Sequence, residues 1–250
     1  MKNHRNQLAI AALCGALPFT SLATEFVQNG GFESTSGVNP TGQLGYNITA
    51  DGWSVPTPPG SYAFLFTPGS ADTTGANGED GNVQLWGPGT GFNNGLPAAS
   101  PAGGNYVALD SDFQQGALSQ TILGLTAGND YTLSFWWAGA QQARFSGATT
   151  DQLQVAFGSQ TLTTPVLNNT SQGFTGWTKQ TFTFNANSSS ELLSFLAIGS
   201  PAVPPFTLLD GVSLTSAVPD NATLLVSGFI LLPVAGGVLR RFRKSAPAQA

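Results

Sequence analysis

The chain has 250 residues, only 8% of them charged, and a formal net charge of -5. Its only histidine and its only cysteine, His4 and Cys14, lie in the first fourteen residues, which excludes a histidine-based triad, a cysteine nucleophile or a His/Cys zinc site from the rest of the chain. Residues 24–217 hold two basic residues, Arg144 and Lys179, against twelve acidic ones, a charge of about -10 that excludes a nucleic-acid partner, because phosphate binding requires clustered Lys and Arg.

Residues 1–23 have the three-part layout of a secretory signal peptide. A basic start at residues 1–5 precedes the apolar run at 8–19, which is too short to span a bilayer, and small residues follow at Ser21 and Ala23. We predict export and cleavage by signal peptidase after Ala23. A buried N-terminal helix is the alternative. Cleavage would leave a mature chain without a thiol, and therefore without a disulfide.

Residues 24–217 predict one all-β domain, a jelly-roll β-sandwich. Short runs rich in β-branched and aromatic residues recur between Gly, Pro, Asn and Asp, and no sustained helical period occurs. Eight strands are predicted, at residues 82–86, 106–109, 118–122, 131–138, 153–157, 180–184, 192–198 and 206–214. This many short strands in a domain of this size indicates a sandwich or jelly roll.

Alternation along the strands predicts which side chains face the core. On the strand at 131–138, one face is apolar and the other carries Thr132, Ser134 and Trp136. We expect the core to receive Tyr131, Leu133, Phe135, Trp137, Phe182 and Phe184. Residues 38–102 differ from the rest because they are rich in Gly and Pro. We expect them to form long loops that are either functional or disordered.

Several motifs resemble the galactose-binding-like carbohydrate-binding modules. The run NGGFE at 29–33, followed by Gly52-Trp53, is similar to their opening strand, and residues 118–135 resemble their central hairpin. Gly176-Trp177 and the run LLDGVSL at 208–214 resemble their closing strands. The resemblance implies the jelly-roll fold. It does not by itself imply sugar binding, because one fold serves many functions.

The same resemblance implies a structural Ca²⁺ between the opening and the last strand, held by Glu33 and Asp210 with backbone carbonyls. Hard oxygen ligands suit Ca²⁺. The alternative is that the two carboxylates only cap turns. A looser group, Asp72, Glu79 and Asp80, lacks EF-hand spacing, and we interpret it as part of a solvated loop.

Glycan binding would need exposed aromatic rings beside amide and carboxylate groups. The candidate rings are Trp53, Tyr62, Trp86, Trp136 and Trp177, and the candidate polar groups are Asp110, Asp112, Gln114, Gln141 and Gln142. From these we select Trp136, Trp53, Trp86, Asp110 and Gln141 as ligand-binding residues. Most tryptophans of a sandwich fill its core, which is the competing interpretation. Arg144 is a candidate for an anionic sugar or for an ordinary surface ion pair.

Residues 218–250 form a sorting tail in this interpretation. An apolar stretch at 222–239, about 27 Å long as a helix, precedes the basic stop at 240–244, which predicts a membrane anchor with its C-terminus in the cytoplasm. Val218, Pro219, Asp220 and Thr223, with Arg240 and Arg241 behind the span, resemble the PEP-CTERM signals, most closely the VPDSG-CTERM variant, although Asn221-Ala222 replaces the usual small pair. The resemblance implies an exosortase-type protease as partner and a final location at the cell surface or in the extracellular matrix.

The sequence therefore favours an exported, non-enzymatic protein whose β-sandwich contacts extracellular polysaccharide. A structural matrix component without a small ligand is the alternative. A remote alternative is a polysaccharide-degrading enzyme that uses Asp110 and Asp112 as its carboxylate pair.

Overall fold

The computed structural model describes residues 23–217, and the predicted sorting tail and all but the last residue of the predicted signal peptide lie outside them. Within this range, no helix is long and apolar enough to cross a membrane. One 3₁₀ helix spans Pro88–Thr90. The strands are β1 (Thr35–Gly37), β2 (Gly42–Gln43), β3 (Ile48–Ala50), β4 (Ala63–Phe66), β5 (Ala76–Gly78), β6 (Gly81–Val83), β7 (Tyr106–Asp110), β8 (Leu118–Leu123), β9 (Asp130–Gln141), β10 (Thr149–Phe157), β11 (Gln160–Thr163), β12 (Leu167–Asn169), β13 (Thr178–Asn185), β14 (Ser190–Ser200) and β15 (Pro205–Ser216).

Two antiparallel sheets make up the body of the domain. The larger has six strands in the order β13-β9-β15-β7-β4-β2, and the smaller has the order β11-β10-β14-β8, with β12 also paired to β10. Two short hairpin-like pairs, β1-β3 and β5-β6, complete the described strands. The chain therefore has the all-β sandwich architecture that its sequence predicted, because the two sheets pack face to face around a shared core.

The main core fills the space between the sheets. On β9 the odd positions point inward, and Leu133, Phe135 and Trp137 are almost completely buried while Thr132 and Ser134 are only half-buried. Phe135 meets Phe195 of the facing sheet edge to face, with ring centroids 5.2 Å apart. The predicted core residues of β9 and β13 are confirmed, although Phe182 is only partly buried.

A second core covers the outer face of the six-stranded sheet. Residues 67–105 cross this face, and Val83 and Leu85 pack there against Phe64, Tyr106 and Phe206 of the sheet. For this reason β4 and β7 are buried at every position rather than at alternate ones. The segment that we expected to be loop or disorder is largely a packed cover. The sequence did not reveal this, because the apolar residues of the segment are scattered among glycines and prolines instead of alternating.

Seven of the eight predicted strands are confirmed, each with longer bounds than predicted. The predicted strand at 82–86 is shorter than expected. Its first part belongs to β6, and Leu85 continues only as an isolated bridge to Gln142. β4 was missed because its four residues lie inside the turn-rich region.

Candidate functional site

A surface groove lies where the cover segment meets the end of β9. Two adjoining cavities of about 260 and 280 Å³ share Gln84, Ala143 and Arg144. We call this surface the Trp86 groove. Its lining residues are Asp80, Asn82, Gln84, Trp86, Gly89, Thr90, Gln142, Ala143, Arg144 and Phe145. Together the cavities fall within the size range of small-molecule sites, roughly 300–1000 Å³.

Backbone pairing holds the two walls of the groove together. The Trp86 N–H donates to the Gln141 carbonyl at 2.9 Å, and the Ala143 N–H donates to the Gln84 carbonyl at 2.8 Å. The segment Gln84–Trp86 thus continues the sheet beyond the end of β9. A ligand would meet a wall that is already formed, which lowers the ordering cost of binding.

Several contacts fix the half-buried Trp86 indole. Its Nε1 donates to the Phe145 carbonyl at 2.6 Å, and the ring of Phe92 lies 5.8 Å away at an angle of 59°. Asn94 Nδ2 donates to the Trp86 carbonyl at 2.9 Å. The nitrogen edge of the indole is therefore occupied by the protein, and its remaining accessible surface borders the cavity.

Arg144 stands at the centre of the groove on a backbone with φ of 78°. Non-glycine residues seldom adopt this left-handed conformation, which costs about 1 kcal/mol or more. The side chain is exposed and lines both cavities. Such outliers cluster at functional sites, and the five N–H donors of a guanidinium suit carboxylate, sulfate and hydroxyl groups.

One acidic residue, Asp80, lies at the other end of the groove. Burial raises the pKa of the Tyr62 hydroxyl to about 12, with further contributions from the charges of Asp80, Asp110 and Glu79. Asp80 lines the groove, whereas the buried Asp110 caps a turn, because its Oδ1 accepts the N–H groups of Asp112 and Phe113 at 2.8 and 2.7 Å. Burial is the main cause of the raised pKa of Asp110.

Two further residues selected from the sequence, Trp53 and Gln141, lie in the protein interior. Trp53 is 8% exposed, packs 5.4 Å from Phe32 and lines a separate cavity of about 170 Å³. Gln141 is fully buried, and its amide bonds three backbone groups, the carbonyls of Gly147 and Val203 and the N–H of Gln172. Neither side chain presents a binding face to solvent.

Trp136 lies on a different surface from Trp86. It occupies the outer face of the six-stranded sheet, between Lys179 of β13 and Asp210 of β15, and it is half-buried. The structure thus separates the two tryptophans. Trp177 packs against Tyr106 at 5.6 Å and joins the second core.

Glu33 and Asp210 are neighbours, as expected for a shared site. Both flank Gly31, where an added Cβ would lie 3.9 Å from Asp210 Oδ1 and 3.9 Å from Glu33 Cγ. Burial raises the pKa of Asp210 to about 7, opposed by hydrogen bonds from Ser100 and the Gly211 N–H, and the charge of Glu33 raises it further. Glu33 Oε1 accepts the Asn105 N–H at 2.7 Å.

The second predicted oxygen group does not come together as one site. Asp72 accepts the Gly89 N–H at 2.8 Å and braces the turn behind Trp86, while Asp80 points to the groove. Across residues 23–217, no three side chains of His, Cys, Asp or Glu are close enough to hold a metal ion.

Sequence reasoning missed much of the groove wall. Asp80, Trp86, Gln142 and Arg144 were named as candidates from the sequence, whereas Asn82, Gln84, Thr90 and Phe145 carry no motif. The groove is built by an isolated bridge between distant segments. Such contacts leave no periodic pattern in the chain.

Comparisons with known proteins find partial similarity to several solved structures. No protein-family model matches the chain, and a search of curated proteins finds no match. Among solved structures, TmCBM61 in complex with β-1,4-galactotriose shares 15% identity at a TM-score of 0.43, covering 78% of this chain and 100% of that one. The CBM22-1 xylan-binding domain from Paenibacillus barcinonensis Xyn10C shares 11% identity at a TM-score of 0.39, covering 80% of this chain and 99% of that one.

A third similar structure is the enzymatically active domain of tailspike protein 4 from bacteriophage CBA120. It shares 9% identity at a TM-score of 0.39, over 77% of this chain but only 21% of the tailspike chain. Identities this low assign neither a family nor a ligand to this chain, so the ligands and activities of these proteins are not transferred to it.

Proposed function

We propose that this β-sandwich is a non-catalytic carbohydrate-binding domain and that the Trp86 groove holds a short stretch of an extracellular polysaccharide. The observation that carries the proposal is the Trp86 indole, fixed at the border of a cavity that it shares with Gln84 and Arg144. An aromatic surface suits the C–H-rich face of a sugar ring, and amide and guanidinium groups suit its hydroxyls.

The delivery of the domain is part of the same proposal. The signal peptide at 1–23 and the sorting tail at 218–250 would carry residues 24–217 across the inner membrane, with signal peptidase and an exosortase-type protease as processing partners. Cleavage of the single-pass anchor would then release the domain to the cell surface or the matrix. Intact-mass measurement of the cell-surface product tests this directly. A product retaining either segment contradicts the proposed processing.

We also propose one structural Ca²⁺ at Glu33 and Asp210. In support, two carboxylates lie together, and the like charge of Glu33 raises the pKa of Asp210, a repulsion that a cation would relieve. Ca²⁺ takes six to eight oxygen ligands, so backbone carbonyls or waters would have to complete the set. Bound Ca²⁺ would join the opening segment to β15 and add to the stability of the fold.

A glycan array screened with the purified chain tests the binding proposal. We expect saturable binding to at least one polysaccharide class, lost in Trp86→Ala and retained in Trp136→Ala, which removes an indole outside the groove. Acidic and neutral glycans on the same array separate the two roles of Arg144. Arg144→Gln should weaken binding selectively if the ligand carries carboxylate or sulfate groups.

Two outcomes favour the alternatives. A folded wild-type chain that binds no glycan on the array supports a purely structural matrix component. Hydrolysis of a polysaccharide by the wild-type chain, lost in Asp110→Asn or Asp112→Asn, supports an enzyme. Each result contradicts the non-catalytic binding function.

A further inference from the structure

The strand β13 forms an open edge of the six-stranded sheet. It is eight residues long, pairs only with β9, and has the sequence TKQTFTFN. The other sheet ends among the described residues are shorter. β2 has two residues and β11 four, while β8 has six and is bridged by Ser54 on its outer side.

Hydrogen bonds next to β13 establish which of its backbone groups face outward. The Ala186 N–H donates to the Asn129 carbonyl at 2.9 Å, and the Ala186 carbonyl accepts the Gly128 N–H at 2.7 Å, so Ala186 faces the β9 side. Backbone direction alternates along an antiparallel strand. The N–H and C=O groups that point away from β9 are therefore those of Lys179, Thr181, Thr183 and Asn185.

Side-chain contacts agree with this assignment and show how one end of the edge is closed. The Gln160 side chain accepts the Asn185 N–H and donates to the Asn185 carbonyl, which imitates a pairing strand. The Gln180 amide donates to the Thr181 carbonyl at 3.1 Å. In the described part of the chain, the outward N–H groups of Lys179, Thr181 and Thr183 have no such partner.

Natural proteins protect long edge strands with proline, bulges or several charges. β13 contains no proline, pairs with β9 without a register shift, and carries one charge, Lys179. Threonine and phenylalanine occupy five of its other seven positions and favour the extended conformation. The strand therefore lacks most of the features that prevent pairing with another chain.

We propose that β13 pairs with β13 of a second copy of this chain, in an antiparallel two-fold arrangement centred on Thr181. In this register Thr181 lies opposite Thr181, and each Lys179 lies opposite the second copy's Thr183. All three open residues of each copy then pair, and the two sheets join into one of twelve strands. Pairing of this kind provides main-chain hydrogen bonds to both partners.

The residues of β13 itself are compatible with a second copy as the occupant. The domain carries about -10, yet no acidic residue lies on β13, and the centred register opposes no two like charges. A central Thr–Thr pair is a favourable cross-strand contact. Self-pairing gives an exported domain a means of assembly that does not involve the Trp86 groove.

Cysteine cross-linking of the full-length chain tests the register. Cys14→Ser removes the native thiol, after which Thr181→Cys and the matched control Thr183→Cys are each oxidised mildly and examined on non-reducing gels. Directly opposed residues of a hydrogen-bonded pair have Cα atoms about 5.5 Å apart, within disulfide range. The two copies of residue 183 are four positions apart along the strand, about 13 Å.

We expect a covalent dimer from Thr181→Cys, none from Thr183→Cys, and a mixed dimer when Lys179→Cys and Thr183→Cys chains are combined. Thr181→Pro removes an outward N–H that has no partner within its own copy, so it should abolish the dimer and leave a folded monomer, as judged by circular dichroism. A monomeric Thr181→Cys chain, equal cross-linking at 181 and 183, or a Thr181→Pro chain that stays dimeric would each overturn the proposal.

Discussion

A buried carboxyl group makes the stability of this domain depend on pH. Asp151 of β10 is completely buried between the sheets, and its Oδ1 accepts the hydroxyls of Ser111 and Thr207 at 3.1 and 3.2 Å. Its Oδ2 has no partner and lies where a Cβ on Gly139 would come within 2.6 Å. Burial raises the pKa of Asp151 to about 8, the two hydroxyl bonds oppose the shift, and the charge of Asp110 adds to it.

The sign of the effect follows from which state holds the proton. The folded chain keeps the Asp151 proton up to about pH 8, whereas the unfolded chain loses it near 3.8. Between these values the folded state binds more protons, so the free energy of unfolding falls as pH rises and levels off above pH 8. The pKa of Asp151 differs by about four between the folded and unfolded states, and each pKa unit corresponds to about 1.36 kcal/mol. Ionisation of Asp151 therefore lowers the free energy of unfolding by at most about 6 kcal/mol above pH 8, and by about 4 kcal/mol at pH 7.

The substitution Asp151→Asn removes this titration and keeps an oxygen for Ser111 and Thr207. Its amide also places donors where Oδ2 has no partner, at a cost of about 1–3 kcal/mol. We therefore expect the variant to be less stable than the wild type at pH 4.5 and more stable, by about 2–4 kcal/mol, at pH 8.5. Urea unfolding at pH 4.5, 7.0 and 8.5 measures both differences.

A matched control is Asp112→Asn, which removes an accessible carboxyl group near the same end of the sandwich. Its stability should follow the wild type at all three pH values. Asp210, with a pKa of about 7 in the folded state, adds a pH dependence of the same sign that persists in both variants. If the profiles of wild type and Asp151→Asn stay parallel from pH 4.5 to 8.5, Asp151 is not the buried acid that this reasoning requires.

Three further predictions concern packing and calcium. Trp53→Ala should lower the free energy of unfolding by about 3–5 kcal/mol in urea titrations, because it removes a core ring beside Phe32; a loss below 1 kcal/mol would place Trp53 outside the core. Gly30→Ala should cost about 3 kcal/mol in the same titrations, because its Cβ would lie 1.8 Å from the Val212 carbonyl oxygen, and an unchanged midpoint would refute that contact. Added Ca²⁺ should raise the melting midpoint, with EDTA reversing the shift and Asp210→Asn abolishing it. A melting midpoint that changes with neither Ca²⁺ nor EDTA contradicts the calcium site.

The sequence predicted the sandwich because its central strands are long and alternate clearly. β10 shows alternate burial over its whole length and β9 over its first eight residues, which is the pattern that period-two reasoning detects. β4 and β7 are buried on both faces and carry no such alternation. The cover formed by residues 67–105 could not be predicted, since turn residues and apolar residues mix there without a period.

The candidate site was only partly accessible to sequence reasoning. Trp86 was selected for its chemistry, and the structure places it at a groove, but the same reasoning selected Trp53, which lies in the core. The sequence alone does not distinguish a tryptophan in a groove from a tryptophan in the core. What distinguishes them is tertiary contact, here the pairing of Gln84 with Ala143 across 59 positions of sequence, which no local pattern encodes.

Isothermal titration calorimetry with the array ligand that binds most tightly measures whether Trp86 and its groove bind a glycan. We predict saturable binding by the wild-type chain, a loss of at least tenfold in affinity in Trp86→Ala, equivalent to about 1.4 kcal/mol, and unchanged affinity in Trp136→Ala. Wild-type affinity in a folded Trp86→Ala variant would contradict glycan binding at the Trp86 groove.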